Sequence, residues 1–287
     1  MWDEFANKYQ GRRILIIGLA RSGTITAKIL AQAGANLTVY DLKANTPEQD
    51  ELAELGIKVI TGEPEQELVT ADFDLVVKNP GIPYSNPLVA KAIELGLTVI
   101  SEVELAYELS AAPIIGITGS NGKTTTTTLI GEMLQQGGKQ AVVAGNIGKV
   151  LLGEAKDITD QEILVAELSS FQLKGTREFR PWIAILLNIY NAHLDYHEGL
   201  ADYIESKSKI FANQTAGDYA ILNYNCGVCR DLSAGIAAEK LYFSTRGQQG
   251  LSSGAYIDSE AIYYLDTGRA VKLIGINETR IRGAHLE

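Results

Sequence analysis

Apolar and polar positions alternate along this chain in blocks of two kinds. Short β-branched and leucine-rich runs, RILIIG (13–18), LTVYD (37–41), KVITG (58–62), DLVVK (74–78) and LTVIS (97–101), predict strands. Between them lie amphipathic stretches. Residues 22–33 carry Ile25, Ile29 and Leu30 at helical spacing before Gly34, and further helices are predicted over 48–55 and 87–95. Strand and helix in turn argue for a parallel sheet covered on both faces. A second unit of the same kind starts near Pro113: strand PIIGIT (113–118), a helix over 123–136 closed by Gly137 and Gly138, then strands at 140–145, 163–168, 182–188, 219–223 and 240–244. Over 254–268 the pattern turns to short strands with polar turns, a small antiparallel element. The expected fold is α/β: a Rossmann-like parallel-sheet domain over 1–110, then a central α/β domain over 111–287, divided at SAAP.

Composition narrows the partners. Lys and Arg number 25 against 35 Asp and Glu, a net charge of −10 with no long basic run, which disfavours nucleic acid and anionic membrane. No apolar stretch approaches the roughly 20 residues a membrane helix needs, and the acidic N-terminus is not a secretory signal. A soluble cytoplasmic protein is expected. Cys226 and Cys229 form C-x-x-C in what reads as a turn; with no second pair for zinc, they are taken as incidental thiols.

The stretch GITGSNGKTTTTT carries the chemistry. Gly119, Ser120, Asn121, Gly122, Lys123, Thr124 and Thr125 fall between a predicted strand and a predicted helix, the setting of a phosphate-binding loop. Glycines let backbone N–H groups turn toward an anion, and the helix N-terminus adds unsatisfied donors. Lys123 can reach terminal phosphates and the Thr124 hydroxyl can ligate Mg²⁺. The loop is a short G-x-x-G-K-T form, with Ile117 where the longer pattern has glycine. Five consecutive threonines, each about 0.6 kcal/mol poorer than alanine in a helix, oppose the helix their neighbours favour, a conflict typical of sites.

A second glycine loop, Gly18 to Gly23, follows the first strand, with Ala20 in the middle place of G-x-G-x-x-G and Asp41 ending the next strand. It fits an NAD site or a Rossmann-like site for another nucleotide; Ala20 would crowd a pyrophosphate and favours the second. Glu167, alone an exposed strand-end glutamate, is placed beside the phosphate loop to hold Mg²⁺. His193 and His197, four apart, could share a helix face on zinc, but no third ligand is evident, so one histidine on Mg²⁺ or phosphate is the better reading; His197 alone reads as a surface residue. Lys207 and Lys209 read as solvated lysines.

Together, GITGSNGKTT, AGNIG, ELSSFQL, N-x-x-x-x-H-L-D and S-K in a helix, with VKNPGIP and SEVELAY upstream, resemble the Mur ligases of peptidoglycan precursor synthesis, and among them the branch that attaches D-glutamate. The resemblance spans nearly the whole chain. The phosphate loop alone is shared with sister ligases and folylpolyglutamate synthase. It implies a first domain that binds UDP-N-acetylmuramoyl-L-alanine through Arg21, Ser22, Leu42, Lys43, Asn79 and Gly81, with Asn146 and Ser169 on the muramoyl portion. It implies ATP on the loop, one Mg²⁺ on Thr124 and Glu167, and a second on His193 and a carbamylated Lys207. Lys123, His193 and Lys207 would be catalytic. The implied reaction is an ATP-dependent amide ligation through an acyl phosphate, by a monomer.

The family's third, C-terminal domain is not in the sequence. The joining pattern G-x-H-N-x-x-N begins at Gly283 and His285, but Leu286 replaces its asparagine. The expectation is therefore a two-domain fragment that binds the sugar nucleotide with little ligation of its own. A UDP-sugar- or ATP-binding module without turnover, and an NAD-binding dehydrogenase, are the alternatives.

Overall fold

The computed structural model describes residues 1–190, 196–248 and 250–279. The chain builds two sheets in succession. In the first, α1 (Trp2–Tyr9) precedes β1 (Arg13–Ile17), α2 (Ala20–Gln32), β2 (Asn36–Asp41), α3 (Pro47–Glu54), β3 (Val59–Thr61), β4 (Leu75–Lys78), α4 (Pro87–Glu94), β5 (Val99–Ile100) and α5 (Glu102–Leu109). The strands are all parallel, in the order β3-β2-β1-β4-β5. Central β1 and β4 carry the buried apolar runs Ile14–Ile17 and Leu75–Val77, as strands covered on both faces do. The order reverses between β1 and β4, so a crevice opens at their C-terminal ends.

The second unit runs β6 (Ile114–Thr118), α6 (Lys123–Gln136), β7 (Gln140–Gly145), α7 (Leu151–Asp157), β8 (Glu162–Glu167), α8 (Ser170–Lys174), β9 (Ile183–Leu186), α9 (Leu200–Ser208), β10 (Tyr219–Asn223), α10 (Gly227–Ser233), β11 (Glu239–Ser244), β12 (Gly254–Ile257), β13 (Ala261–Asp266) and β14 (Arg269–Gly275). Its sheet order is β14-β13-β12-β11-β10-β9-β6-β8-β7. Strands β7 through β12 pair in parallel, whereas β12, β13 and β14 form the expected antiparallel element. One contiguous core passes from β1 and α2 through α5 and α7 to β8 and β10. No helix among the described residues is long and apolar enough to cross a membrane.

Several local expectations differ from the structure. Helix α2 starts at Ala20, so Arg21 and Ser22 lie in its first turn rather than in the glycine loop. Strand β5 is only Val99–Ile100, because Ser101 leaves the sheet: its N–H donates to Gly175 O at 2.9 Å and its hydroxyl to Gln172 O at 2.7 Å. SEVELAY then forms α5, which the apolar pattern did not announce. The cysteine pair is not in a turn. Cys226 is the N-cap residue of α10 and Cys229 is buried in its first turn, where it packs with the core.

Candidate functional site

The phosphate loop leaves β6 and enters α6 through Gly122, whose φ of 83° is the left-handed conformation that glycine adopts without strain. The end of β9 grips the loop from behind. Asn188 accepts the Asn121 N–H on Oδ1 at 2.9 Å and returns its Nδ2 to Asn121 O at 3.1 Å. The Ser120 N–H donates to Asn188 O at 3.0 Å, and the Tyr190 N–H donates to Ser120 Oγ at 2.9 Å. The loop is thus held by polar contacts that fix its backbone before any ligand arrives.

Two lysines converge on one carbonyl of this loop. Lys123 Nζ donates to Gly119 O at 2.9 Å and to Ser120 O at 3.1 Å. Lys207 Nζ, from α9, donates to the same Gly119 O at 2.8 Å and to Thr118 Oγ1 at 3.3 Å. The reading of Lys207 and Lys209 as solvated lysines is corrected: Lys207 is 1% exposed, and Lys209 donates to the carbonyls of Lys174 and Thr176 that close α8. Burial, with the Lys123 charge beside it, pushes Lys207 down to about 7. Burial also lowers Lys123, opposed by the negative charge of Glu167.

Glu167 ends β8, the neighbour of β6, and is 2% exposed. The segment after β7 wraps it. Asn146 donates its N–H to Glu167 O at 2.8 Å and its Nδ2 to Oε1 at 3.0 Å. A Cβ at Gly145 would lie 2.2 Å from Glu167 O, so only glycine permits this approach. The other oxygen, Oε2, is buried with no hydrogen-bond partner among the described residues. An unpaired buried carboxylate oxygen is costly in a protein interior, and a cation is the partner that removes the cost. The donor set therefore fits Mg²⁺ at Glu167. Thr124, in the first turn of α6, is exposed. His193 lies outside the described residues. No cluster of three His, Cys, Asp or Glu side chains that could hold a metal occurs among the described residues, which do not include His193.

At the switch point of the first sheet lies a cavity of about 440 Å³, lined by Gly18, Leu19, Leu42, Lys43, Asn79 and Gly81 among others. Four of the six expected sugar-nucleotide residues line it. Ser22 joins through Asn79, whose Nδ2 donates to Ser22 Oγ at 2.9 Å, while Arg21 is exposed on α2. Asp41 accepts the Leu19 N–H at 2.7 Å and the Lys43 N–H at 2.9 Å, one on each carboxylate oxygen. These two contacts hold the glycine loop and the turn after β2 in place.

Sequence reasoning missed the polar framework behind these sites. Ser169 caps α8 in a capping box with Gln172. Gln172 Nε2 in turn donates to Glu102 of α5 at 3.1 Å, and Glu102 also accepts the Leu152 N–H of α7 at 3.1 Å. Burial pushes Glu102 up to about 7. His197 is not a surface residue. It is buried, with Nδ1 paired to Asp202 at 2.8 Å and Nε2 to Ser170 Oγ at 2.9 Å, and Asp202 also binds Lys174. Only the S/T-x-x-Q spacing of Ser169 and Gln172 gave a local signal for any of these.

Comparison with known proteins follows the same division. The profile of the Mur ligase middle domain matches residues 117–285, and that of the N-terminal domain of MurD-like Mur ligases matches residues 12–101. The UDP-N-acetylmuramoylalanine--D-glutamate ligase of Geobacillus sp. (strain WCH70) is 50% identical over 279 residues, 96% of this chain and 60% of the relative. The protein of the same name from Streptococcus pneumoniae serotype 4 (strain ATCC BAA-334 / TIGR4) is 44% identical over 285 residues, 99% of this chain and 61% of the relative. The chain thus spans about three fifths of the length of these relatives. Among solved structures, the UDP-N-acetylmuramate:L-alanyl-gamma-D-glutamyl-meso-diaminopimelate ligase of Neisseria meningitides aligns with a TM-score of 0.57 at 19% identity, covering 96% of this chain and 89% of that one. A murein peptide ligase from Psychrobacter arcticus 273-4 gives 0.53 at 18%, covering 96% and 62%. These two likenesses speak for the fold.

Proposed function

This chain belongs to the Mur ligase family, and on that premise we propose that it carries the sugar-nucleotide and ATP sites of a cytoplasmic, monomeric ligase that joins D-glutamate to UDP-N-acetylmuramoyl-L-alanine. Residues 1–110 hold the sugar nucleotide in the crevice between β1 and β4, and residues 111–287 hold ATP. The observation that carries this reading is the buried, unpaired Glu167 Oε2 beside a loop on which Lys123 and Lys207 converge.

In the proposed reaction the alanyl carboxylate attacks the γ-phosphorus of ATP, ADP leaves, and an acyl phosphate forms. The D-glutamate amine then attacks that carbonyl and phosphate departs. The first step brings two anions together, so charge neutralisation is the main task of the site. Lys123 supplies one positive charge from within the loop. Thr124 and Glu167 would hold one Mg²⁺, and His193 with Lys207 a second; such ions would supply further positive charge for the phosphoryl oxygens. An ammonium at Lys207 would repel a metal ion. A lysine poised near neutrality can instead add its free amine to CO₂, forming an N–C bond and releasing a proton, and so becomes an anionic carbamate. Asn146 and Ser169 are assigned to the muramoyl portion, and Arg21, Ser22, Leu42, Lys43, Asn79 and Gly81 to the nucleotide end.

Thermal-shift titration tests the reading. Stabilisation by UDP-N-acetylmuramoyl-L-alanine exceeding that by UDP-N-acetylmuramic acid, with none by NAD, is expected. Equal or greater stabilisation by NAD would overturn it.

A further inference from the structure

Lys78 ends β4 with its side chain 1% exposed, and no carboxylate pairs with it among the described residues. Its ammonium instead sits in a cage of oxygens. Nζ lies 3.0 Å from Ile82 O, 3.4 Å from Asn79 O and 3.5 Å from Pro80 O, so one side chain gathers three carbonyls of a single loop. The fourth oxygen is the Tyr196 hydroxyl, at 2.9 Å, from the second unit and 118 residues away. That hydroxyl in turn lies 2.9 Å from Pro80 O and 3.0 Å from Ile82 O, to which it can donate. Lys78 Nζ also lies 4.8 Å from the centre of the Tyr84 ring.

Tyr196 is itself tightly seated. Its ring lies 4.1 Å from that of Phe171 in ELSSFQL, and the adjoining His197 is fixed by Ser170 and Asp202. The loop that Lys78 gathers is the one that presents Asn79 and Gly81 to the sugar-nucleotide crevice. Loop 79–82 is therefore tied, through one lysine and one tyrosine, to the segment that follows Glu167.

We propose that Lys78 and Tyr196 form a clasp that positions the Asn79–Gly81 loop for the sugar nucleotide and registers it against the phosphate-transfer half of the site. Both are positioning residues. The proposal rests on the reading of the crevice as the sugar-nucleotide site. Loss of the Tyr196 hydroxyl removes an acceptor for Lys78 and the donor to the Pro80 and Ile82 carbonyls, and leaves the ring packing. Loss of the Lys78 ammonium frees three carbonyls and leaves the hydroxyl without its donor.

Calorimetric titration of the 287-residue chain, its Tyr196→Phe and Lys78→Met variants and the double variant provides the test, with UDP-N-acetylmuramoyl-L-alanine and, separately, the magnesium complex of a non-hydrolysable ATP analogue. One net hydrogen bond corresponds to about three- to tenfold in affinity. Tyr196→Phe is therefore expected to weaken the sugar nucleotide by about that factor, and Lys78→Met by about tenfold or more. The double variant should lose less than the product of the two single losses, because both residues hold the same loop carbonyls. Binding of the ATP analogue should stay within about twofold, which a general loss of structure would not allow.

Unchanged sugar-nucleotide affinity in Tyr196→Phe, or multiplying losses in the double variant, would overturn the proposal; if Lys78→Met does not fold, Tyr196→Phe decides. Amide hydrogen exchange of the unliganded proteins gives a second arm. The clasp predicts faster exchange over 79–82 in Tyr196→Phe, and identical exchange there counts against it. Should the unsubstituted chain fail to bind the sugar nucleotide, the proposed function falls, and the exchange arm alone passes judgement on the clasp.

Discussion

The buried Lys78 makes a sharp prediction about stability and pH. Burial, aided by the nearby charge of Lys174, pushes it from 10.5 down to about 7. Between those two values the unfolded chain binds more protons than the folded one, so stability rises with pH across that window. Below pH 7 the group is charged in both states and folding carries the whole cost of burying it. Above 10.5 it is neutral in both and the cost is gone. The full span corresponds to an upper bound of about 5 kcal/mol, and the part falling between pH 7 and pH 9 to about 2 kcal/mol. Lys78→Met keeps the stem and removes the titration. Urea unfolding of both proteins at several pH values in that range measures the difference between them. Tyr84, pushed up to about 12, and Tyr196, raised further, titrate above the window and are common to both proteins, as is the Lys174–Asp202 pair. The stability difference is expected to move by about 2 kcal/mol in favour of the lysine as pH rises from 7 to 9. A difference that stays flat, or moves the other way, would refute the assignment of a strongly depressed ammonium at this position.

Three further outcomes follow from the site. Glu167→Gln removes a buried negative charge and is expected to raise the melting temperature of the metal-free protein, while abolishing the extra stabilisation that Mg²⁺ gives with an ATP analogue; an undiminished Mg²⁺ increment would count against the metal assignment. Gly145→Ala places a Cβ 2.2 Å from Glu167 O at a residue with φ of 113°, and should cost more than about 2 kcal/mol in denaturant unfolding. Incubation with ¹³C-bicarbonate should give a carbamate carbon resonance in the unsubstituted protein and none in Lys207→Met.

The strands were legible wherever burial on both faces forced continuous apolar runs, as in RILII and IIGIT. Helix α5 was not, because its apolar residues pack on α7 and the core from a short, acidic segment whose N-cap residue, Ser101, turns its hydroxyl to α8 instead of capping the helix. The phosphate loop was legible because its function needs a local order of backbone conformations, glycine, lysine and threonine in sequence. His197 and Lys207 were misread as surface residues because their partners, Ser170 and Gly119, come from other elements.

Sequence alone determined the α/β alternation, the phosphate loop and the family to which the chain belongs, since each is written in the order and period of neighbouring residues. Tertiary structure alone decided the electrostatics. It ties Asp41 to two backbone amides, leaves one oxygen of Glu167 unpaired, and buries Lys78 and Lys207 far enough to bring both near neutrality. The physical reason is that a group's charge depends on which dipoles and charges surround it and on how much water reaches it, and for Lys78 the burial is reinforced by the charge of Lys174, which comes from α8 of the second unit.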